Sequence, residues 1–188
     1  MAYQKINDIE LVELFKSKDS QQKAFKILMQ KYKERLYWHI RKIVLTHEDA
    51  DDVLQNTFVK IWQNLDSFQG NSALYTWIYR IATNESLTLL KKKKKNSAYP
   101  IDGEVNKLES QLKSDPYFEG TEIQIQLQKA ISTLPEKQKI IFNMKYFDDL
   151  KYGEIAEILE TSVGSLKASY HHAAKKIEAY LKNTLVNK

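Results

Sequence analysis

KYGEIAEILETSVGSLKASYHHAAKKIEAYL, residues 151–181, has the periodicity of two helices that meet at a tight turn. Ile155, Ala156 and Leu159 give the first helix a packing edge. Val163, Leu166, Tyr170, Ala174, Ile177 and Leu181 recur every three to four residues along the second. At about 100° per residue, Ser165, Ala168, Ser169, His172 and Lys176 then face away from that spine. Ala156 is small where two helices would cross closely, and Ser162 is a residue type that caps the first exposed amides of a helix. A helix-turn-helix of this kind presents its second helix to a DNA major groove. The same pattern also describes an ordinary antiparallel helix pair inside a core, and this segment alone leaves both open.

The chain of 188 residues is long enough for one large domain or two small ones. Five glycines and three prolines leave most of it free to be helical. The absence of cysteine excludes disulfides and thiolate metal sites and fits a reducing compartment. No apolar run approaches the ~18 residues of a membrane span, and no signal-peptide pattern opens the chain. A soluble, cytoplasmic protein without direct membrane insertion is therefore expected. The net charge of +5 permits a polyanionic partner without demanding one.

Charge also divides the chain. Residues 1–95 carry 17 basic and 11 acidic groups, residues 96–122 carry 2 and 6, and residues 123–188 carry 10 and 7. The middle piece, NSAYPIDGEVNKLESQLKSDPYFEGTE, holds two of the three prolines and has no sustained helical period. It reads as a flexible acidic linker, because so long a structureless stretch is unusual inside one compact domain. The expected fold is all-α: two small helical domains, 1–95 and 123–188, joined by the linker 96–122, with a helix-turn-helix in the second.

Helical periodicity runs through the first of these domains. Asp8–Lys18 is amphipathic through Ile9, Val12, Leu14 and Phe15, and Ser20–Leu45 keeps a stripe of Ala24, Ile27, Leu28, Tyr32, Leu36, Ile40, Ile43 and Val44. In HEDADDVLQNTFVKIWQNL, residues 47–65, the buried face is Ala50, Val53, Leu54, Thr57, Phe58, Ile61 and Trp62. The other face carries Asp49, Asp52, Gln55, Asn56, Val59 and Gln63. Carboxylates at a helix N-terminus are favoured by the macrodipole, yet a valine and two amides beside them also suit the docking of a basic helix. Both accounts stand on this segment alone.

After Asp66 the chain turns through SFQGNS and enters ALYTWIYRIATNESLTLLKKKKK, residues 73–95. The loop supplies Phe68, Gly70, Asn71 and Ser72. The helix interleaves Tyr75, Trp77 and Tyr79 with Arg80 and Asn84, then ends in Lys91–Lys95. Aromatic planes stack on unpaired bases at ~1–3 kcal/mol each, cations hold phosphates and amides read base edges. The competing account is a core built on Leu74, Trp77, Ile78, Ile81 and Ala82, with the lysines answering the dipole at a helix C-terminus.

Taken together, DADDVLQNTFVKIWQNLDSFQGNSALYTWIYRIATNESL and, past the linker, LPEKQKIIFNMKYFDDLKYGEIAEILETSVGSLKASYHHAAKKI closely resemble the bacterial sigma-70 family. More narrowly, the chain looks like the two-domain extracytoplasmic-function (ECF) sigma factors over residues 8–95 and 121–182. The resemblance implies an alternative sigma factor that binds core RNA polymerase, recognises −35 and −10 promoter elements and promotes DNA melting, with no bond chemistry of its own. Asp49, Asp52, Gln55 and Asn56 match the helix that docks on the clamp helices of the polymerase's largest subunit, the flap being a further contact. Phe68, Gly70, Asn71, Ser72, Tyr75, Trp77, Arg80 and Asn84 match the positions that recognise the −10 element and capture an extruded base. Ser165, Lys167, Ala168, Ser169, His171, His172, Lys175 and Lys176 fall on the helix that enters the −35 major groove. Implied partners are core polymerase, promoter DNA and an anti-sigma factor.

Several residues depart from the family pattern. Asn56 stands where an acid is commoner, and Ile78 where primary sigma factors carry a second tryptophan. Glu160 occupies a turn position usually held by glycine, where a left-handed backbone costs ~1 kcal/mol or more. Ser169 and His172 replace arginines, which weakens bidentate reading of guanine. Leu134-Pro135-Glu136-Lys137-Gln138 matches the family's helix-opening motif, and Thr133 with Glu136 has capping-box spacing.

No cofactor is expected. The sequence has no phosphate-cradling glycine loop and no nucleophile with a placed base, and the His171-His172 pair lacks a further metal ligand at suitable spacing. The alternative reading is a conventional helix-turn-helix transcriptional regulator, which has no use for the acidic docking helix or for the aromatic loop and helix.

Overall fold

A computed structural model describes residues 6–96 and 121–186, all of them helix, turn or loop. Two compact units divide the chain, the first running through Lys95. Its helices are α1 (Asp8–Lys16), α2 (Gln21–Val44), α3 (His47–Asn64) and α4 (Leu74–Asn96), with a short 3-10 turn at Leu65–Ser67. Further along the chain come α5 (Glu122–Ser132), α6 (Glu136–Tyr146), α7 (Tyr152–Leu159) and α8 (Val163–Val186). Most of the expected linker lies outside the described residues. Of its ends, Asn96 closes α4, Thr121 caps α5 and Glu122 opens it. No described helix is long and apolar enough to cross a membrane.

In the first unit, α1 begins with a capping box. The Glu10 backbone N–H donates to Asn7 Oδ1 at 2.9 Å, and Asn7 N–H donates back to the Glu10 carboxylate at 3.4 Å. Its buried residues are Leu11, Val12 and Phe15. Ile9, expected on this stripe, is 73% exposed, and Leu14 is also exposed. The correction follows from where the cap sets the helix start: with Leu11 and Phe15 both turned inward, Ile9 and Leu14 fall on the flanks. Asp8 then ties α1 to α2, accepting from Lys31 Nζ at 2.8 Å and from the Tyr32 hydroxyl at 2.7 Å.

The long stripe of α2 is buried as its periodicity requires, from Ala24 through Val44. Phe15 of α1, Phe25 of α2 and Phe58 and Trp62 of α3 make edge-to-face contacts at 5.0–6.2 Å, so the three helices share one aromatic cluster. Trp62 sits at the rim of that cluster and remains 37% exposed. The helix α2 stops at Leu45, in a left-handed conformation with φ 70°, and its carbonyl accepts from Arg41 Nη1.

Helix α4 packs through Leu74, Ile78, Tyr79 and Ala82. A buried polar contact fixes its angle against α2. Thr83 donates its one hydroxyl proton to the Tyr79 carbonyl at 2.8 Å, so it accepts from His39 Nε2 at 2.9 Å, which assigns that nitrogen the proton. The His39 ring also lies 4.7 Å from the Tyr79 ring.

The second unit has its core in Ala130, Ile131, Leu134, Phe142, Ala173 and Ile177, with Leu127, Tyr170, Tyr180 and Leu181 packed around it. Thr121 and Gln124 form the capping box of α5. The box expected at Thr133 and Glu136 is absent. Thr133 still belongs to the last turn of α5, donating its hydroxyl to the Ala130 carbonyl at 2.7 Å, and α6 starts two residues too late for Thr133 to cap it, with Pro135 at the cap. Proline fits there because the missing N–H is one that the helix would leave unpaired.

Burial, reinforced by the hydrogen bond to Asp8, raises the Tyr32 phenol above its ordinary range. An unfolded tyrosine ionises near pH 10, so beyond that pH the folded state holds a proton that the unfolded state has lost. The contribution is complete below about pH 10 and lost as pH rises further. Tyr32→Phe should therefore cost about 1 kcal/mol at neutral pH and flatten the alkaline loss of stability. Denaturant titrations at pH 7, 9 and 11 check both effects.

Candidate nucleic-acid interface

Three surfaces carry the residues singled out by sequence. The first is the outer face of α3. Asp52, Gln55, Asn56, Val59 and Gln63 are all exposed, and helical spacing places them within an arc of about 100°. Val59, 53% exposed, is an apolar centre among polar neighbours. Among the described residues Asp52, Gln55 and Asn56 have no hydrogen-bond or ion-pair partner, so all three are available to another molecule.

Asp49 differs from them. Thr46, the N-cap of α3, accepts from Asp49 N–H at 3.3 Å, and its hydroxyl donates to the Asp49 carboxylate at 2.6 Å. The same carboxylate accepts from Lys93 Nζ of α4, and its side chain is only 13% exposed. Asp49 is thus committed within the unit, at the edge of the face. Sequence spacing could not show this, because the partner lies 44 residues away. At the start of the same helix, His47 pairs with Asp51 at 3.3 Å and bonds the Tyr37 hydroxyl at 2.7 Å.

The second surface is the loop 68–73 with the first half of α4. Gly70 has φ 75°, the left-handed conformation that glycine adopts without strain. The Phe68 ring packs 5.3 Å from Trp77, tilted by 51°, and Lys16 Nζ holds the Phe68 carbonyl at 3.4 Å. The loop is therefore anchored at its first residue. Asn71 is exposed and donates to the Gln69 side-chain oxygen at 3.2 Å, and Ser72 is half-buried. Trp77, Arg80 and Asn84 follow on one side of α4, with Asn84 exposed and Trp77 and Arg80 partly so; Tyr75 is partly buried. Tyr79 does not belong with them. Interleaved with these residues by sequence, it is 2% exposed and packed on His39.

The third surface is α8. The α7–α8 turn passes through Glu160 with φ 50°, the left-handed conformation that its glycine-like position implies. Ser162 caps α8 as expected, accepting from Ser165 N–H at 3.2 Å. Lys151 N–H donates to the Glu154 carboxylate at 2.7 Å at the opening of α7. Ile155 and Ile158 are the buried residues of α7, whereas Ala156 and Leu159 are only partly covered.

On α8 the buried stripe is Leu166, Ala173 and Ile177, flanked by a half-buried Tyr170 whose ring stacks on Phe142 at 5.6 Å. Burial raises the Tyr170 phenol. Val163, expected on the spine, is 37% exposed. Ala173 takes the core position expected of Ala174, which is only partly buried, and the outward face turns by about 30° relative to the sequence projection. Lys167, Ala168, His171, His172, Lys175 and Lys176 are exposed, while Ser165 and Ser169 sit half-buried on the shoulder. Lys167 Nζ lies 5.9 Å over the Tyr152 ring, and Lys176 Nζ reaches Gln138 at 3.2 Å. Neither imidazole of the histidine pair has a hydrogen bond or ion pair among the described residues.

A bundle whose loop and helix offer aromatics and amides, followed by a helix-turn-helix, defines a class of DNA-binding proteins. Comparison with known proteins narrows it. Residues 28–96 match sigma-70 region 2, and residues 124–177 match sigma-70, region 4. The ECF RNA polymerase sigma factor SigW of Bacillus subtilis is 31% identical over 176 residues, covering 88% of this chain and 93% of its own length. The ECF RNA polymerase sigma-E factor of Escherichia coli K12 is 30% identical over 186 residues, 93% of this chain and 94% of its own. CnrH, solved with the cytosolic domain of CnrY, shares the fold at a TM-score of 0.68 with 21% identity, covering 92% of this chain and 96% of that one. RpoE of Bartonella quintana, solved with the anti-sigma factor NepR, does so at 0.67 with 22% identity, covering 85% and 98%. The chain belongs to the sigma-70 family and is an ECF sigma factor.

The strained turn yields a direct test. Glu160→Gly removes a left-handed cost of about 1–2 kcal/mol but adds unfolded-state entropy. The variant should gain up to about 1 kcal/mol, read as a higher urea midpoint with an unchanged slope. A lower midpoint would show that the glutamate side chain contributes more than its backbone costs.

Proposed function

We propose that this ECF sigma factor directs core RNA polymerase to its promoters through the three surfaces described. Residues 1–95 form the polymerase-docking and −10 domain, residues 96–122 the linker, and residues 123–188 the −35 domain. The outer face of α3 docks on the clamp helices of the polymerase's largest subunit. Asp52 contributes charge, Gln55 and Asn56 contribute amide hydrogen bonds, and Val59 contributes apolar contact. Asp49 acts indirectly, by holding the start of α3 against α4. The supporting observation is that Asp52, Gln55 and Asn56 are exposed and unpartnered around an exposed valine.

The loop and α4 take the melted −10 strand. Asn71, Ser72 and Asn84 supply hydrogen bonds to base edges, Phe68, Tyr75 and Trp77 the stacking faces, Gly70 the close backbone approach and Arg80 a cation for phosphate. Extruding a base costs a few kcal/mol of unstacking, which such a pocket returns. Helix α8 reads the −35 duplex. Ala168 faces base edges from the middle of the exposed arc, with His171 and His172 on either side of it; Lys167 and Lys176 at the margins, and Lys175 two turns beyond Ala168, hold phosphates. Ser165 and Ser169 meet the groove from its side. The protein is a regulatory subunit, and nucleotidyl transfer belongs to the polymerase. It works in the cytoplasm, with the polymerase flap as a further contact of the C-terminal domain and an anti-sigma factor as its inhibitor. The solved complexes of CnrH with CnrY and of RpoE with NepR support that last assignment.

Two experiments test this reading. Asp52→Ala combined with Gln55→Ala should weaken association with core polymerase about tenfold, corresponding to about 1.4 kcal/mol, with helical content unchanged. Association equal to that of the unaltered chain would remove α3 from the interface. Asn71→Ala or Asn84→Ala in the holoenzyme should reduce permanganate reactivity of the −10 strand far more than it reduces binding to promoter duplex. Equal losses in the two assays would count against base capture.

A further inference from the structure

Two adjacent histidines lie on the outward arc of α8, and nothing in the fold uses them. His171 and His172 are exposed, their ring centroids are 6.2 Å apart, and neither ring has a hydrogen bond or ion pair among the described residues. At 100° per residue they flank the line through Ala168 and Lys175, about 50° to either side of it. Ala168 is small, so a surface that approaches that line closely meets both rings.

The charges around the pair are mostly positive. Lys167, Lys175 and Lys176 belong to α8, and its one acidic side chain, Glu178, is held by Lys182 at 2.6 Å. From α6, Gln138 meets Lys176 at 3.2 Å, with Glu136, Lys137 and Lys139 beside it on that helix. Lys145 of α6 shares the Tyr152 ring of α7 with Lys167, each ammonium 5.9 Å from its centroid. The Glu154 carboxylate of α7 accepts from the Lys151 N–H, and α5 meets α8 on its buried side, through Ala130 and Ile131. Among the described residues no carboxylate pairs with either imidazole.

A neutral imidazole has one donor and one acceptor nitrogen, whereas both nitrogens of an imidazolium donate. A duplex offers acceptors at this distance of approach: guanine N7 and O6 in the major groove, and the phosphate oxygens along its edges. We propose that His171 and His172 make duplex binding by α8 proton-linked, each ring engaging these acceptors as imidazolium, so that affinity for the −35 element rises as pH falls. This inference rests on the reading of α8 as the −35 helix. A histidine ordinarily ionises near pH 6.5, and a contact that favours the charged ring raises that value in the complex. Binding then takes up protons. The contribution is complete below the free value and is lost as pH rises through the bound one, with log K falling by up to about two per pH unit, one for each ring.

The test uses holoenzyme and two fragments of a promoter that it selects, one intact and one with the −35 element replaced by unrelated sequence. Between about pH 6 and about pH 8, affinity for the intact fragment should fall about tenfold more than affinity for the other. The variant His171→Gln, His172→Gln should lose that extra fall. The variant His171→Arg, His172→Arg, charged throughout, should also lack it and should bind the intact fragment at pH 8 more tightly than the glutamine variant. Replacing the −35 guanines with 7-deazaguanine separates the two acceptor sources. Loss of the extra fall assigns the base edge. Its persistence, with a slope of log K against log salt steeper by about 0.9 per protonated ring at the acidic end, assigns phosphate.

An extra fall of equal size in the unaltered protein and the glutamine variant, or none in the unaltered protein, would overturn the proposal while leaving α8 as the −35 helix. Weakened assembly of the glutamine variant with core polymerase would overturn it in favour of a protein partner for the pair. If the unaltered holoenzyme binds both fragments equally at every pH, the reading of α8 falls as well. Circular dichroism of both variants, expected to match the unaltered chain across the pH range, distinguishes a lost proton link from an unfolded domain.

Discussion

The rotation of α4 about its own axis decides what the first unit can present, and that rotation is held from inside. Leu74, Ile78, Tyr79 and Ala82 are buried, and the His39–Thr83 hydrogen bond adds a directional contact to that apolar packing. An apolar stripe tolerates small rotations, but a buried imidazole that must meet one hydroxyl does not, because leaving either group unpaired costs about 1–3 kcal/mol. With this angle set, Trp77, Arg80 and Asn84 emerge on one side. At the far end Lys93 meets Asp49, which fixes where α4 ends relative to α3. The outer face of α3 and the side of α4 that carries Trp77, Arg80 and Asn84 are therefore parts of one rigid arrangement, and a change at His39 would disturb both.

The handling of charge follows the same division. Several charged groups of the first unit are paired between its helices: Asp8 with Lys31, Glu85 with Lys60 and Asp49 with Lys93. Exposed pairs of this kind contribute little stability, at most about 1 kcal/mol each, so their main effect is orientation. Among the described residues, Asp52 on α3, Lys91, Lys92, Lys94 and Lys95 on α4, and the two histidines on α8 have no such pair and stay open to a partner. A histidine in place of arginine there offers a single ring nitrogen toward a base instead of a two-pronged fork. The −35 preference of this protein should accordingly rest more on shape and phosphate contacts than on bidentate reading of guanine.

Much of this was legible in the sequence. The all-helical class and the approximate helix bounds followed from apolar periodicity, and the buried stripe of α2 appears residue by residue as the spacing required. The left-handed turn at Glu160 and the Ser162 cap were also visible, since both depend on local geometry. What sequence missed depends on contacts between distant segments. Asp49 looked like its neighbours on α3 until Lys93 reached it across 44 residues. Tyr79 looked like its aromatic neighbours until His39 enclosed it. On α8, periodicity put Ala174 on the spine where its neighbour Ala173 is the buried one, and Val163, drawn inward by the same periodicity, lies at the exposed first turn. The false capping box at Thr133 had the right spacing but the wrong helix start, because Pro135 sets that start.

Transcription by bacterial core polymerase on genomic DNA, with and without the purified chain, tests the central claim most directly. Start-specific transcripts that appear only when the chain is present are the predicted result. Transcripts identical to those of core enzyme alone, under low-salt conditions in which the chain is folded and free of any inhibitor, would contradict the account.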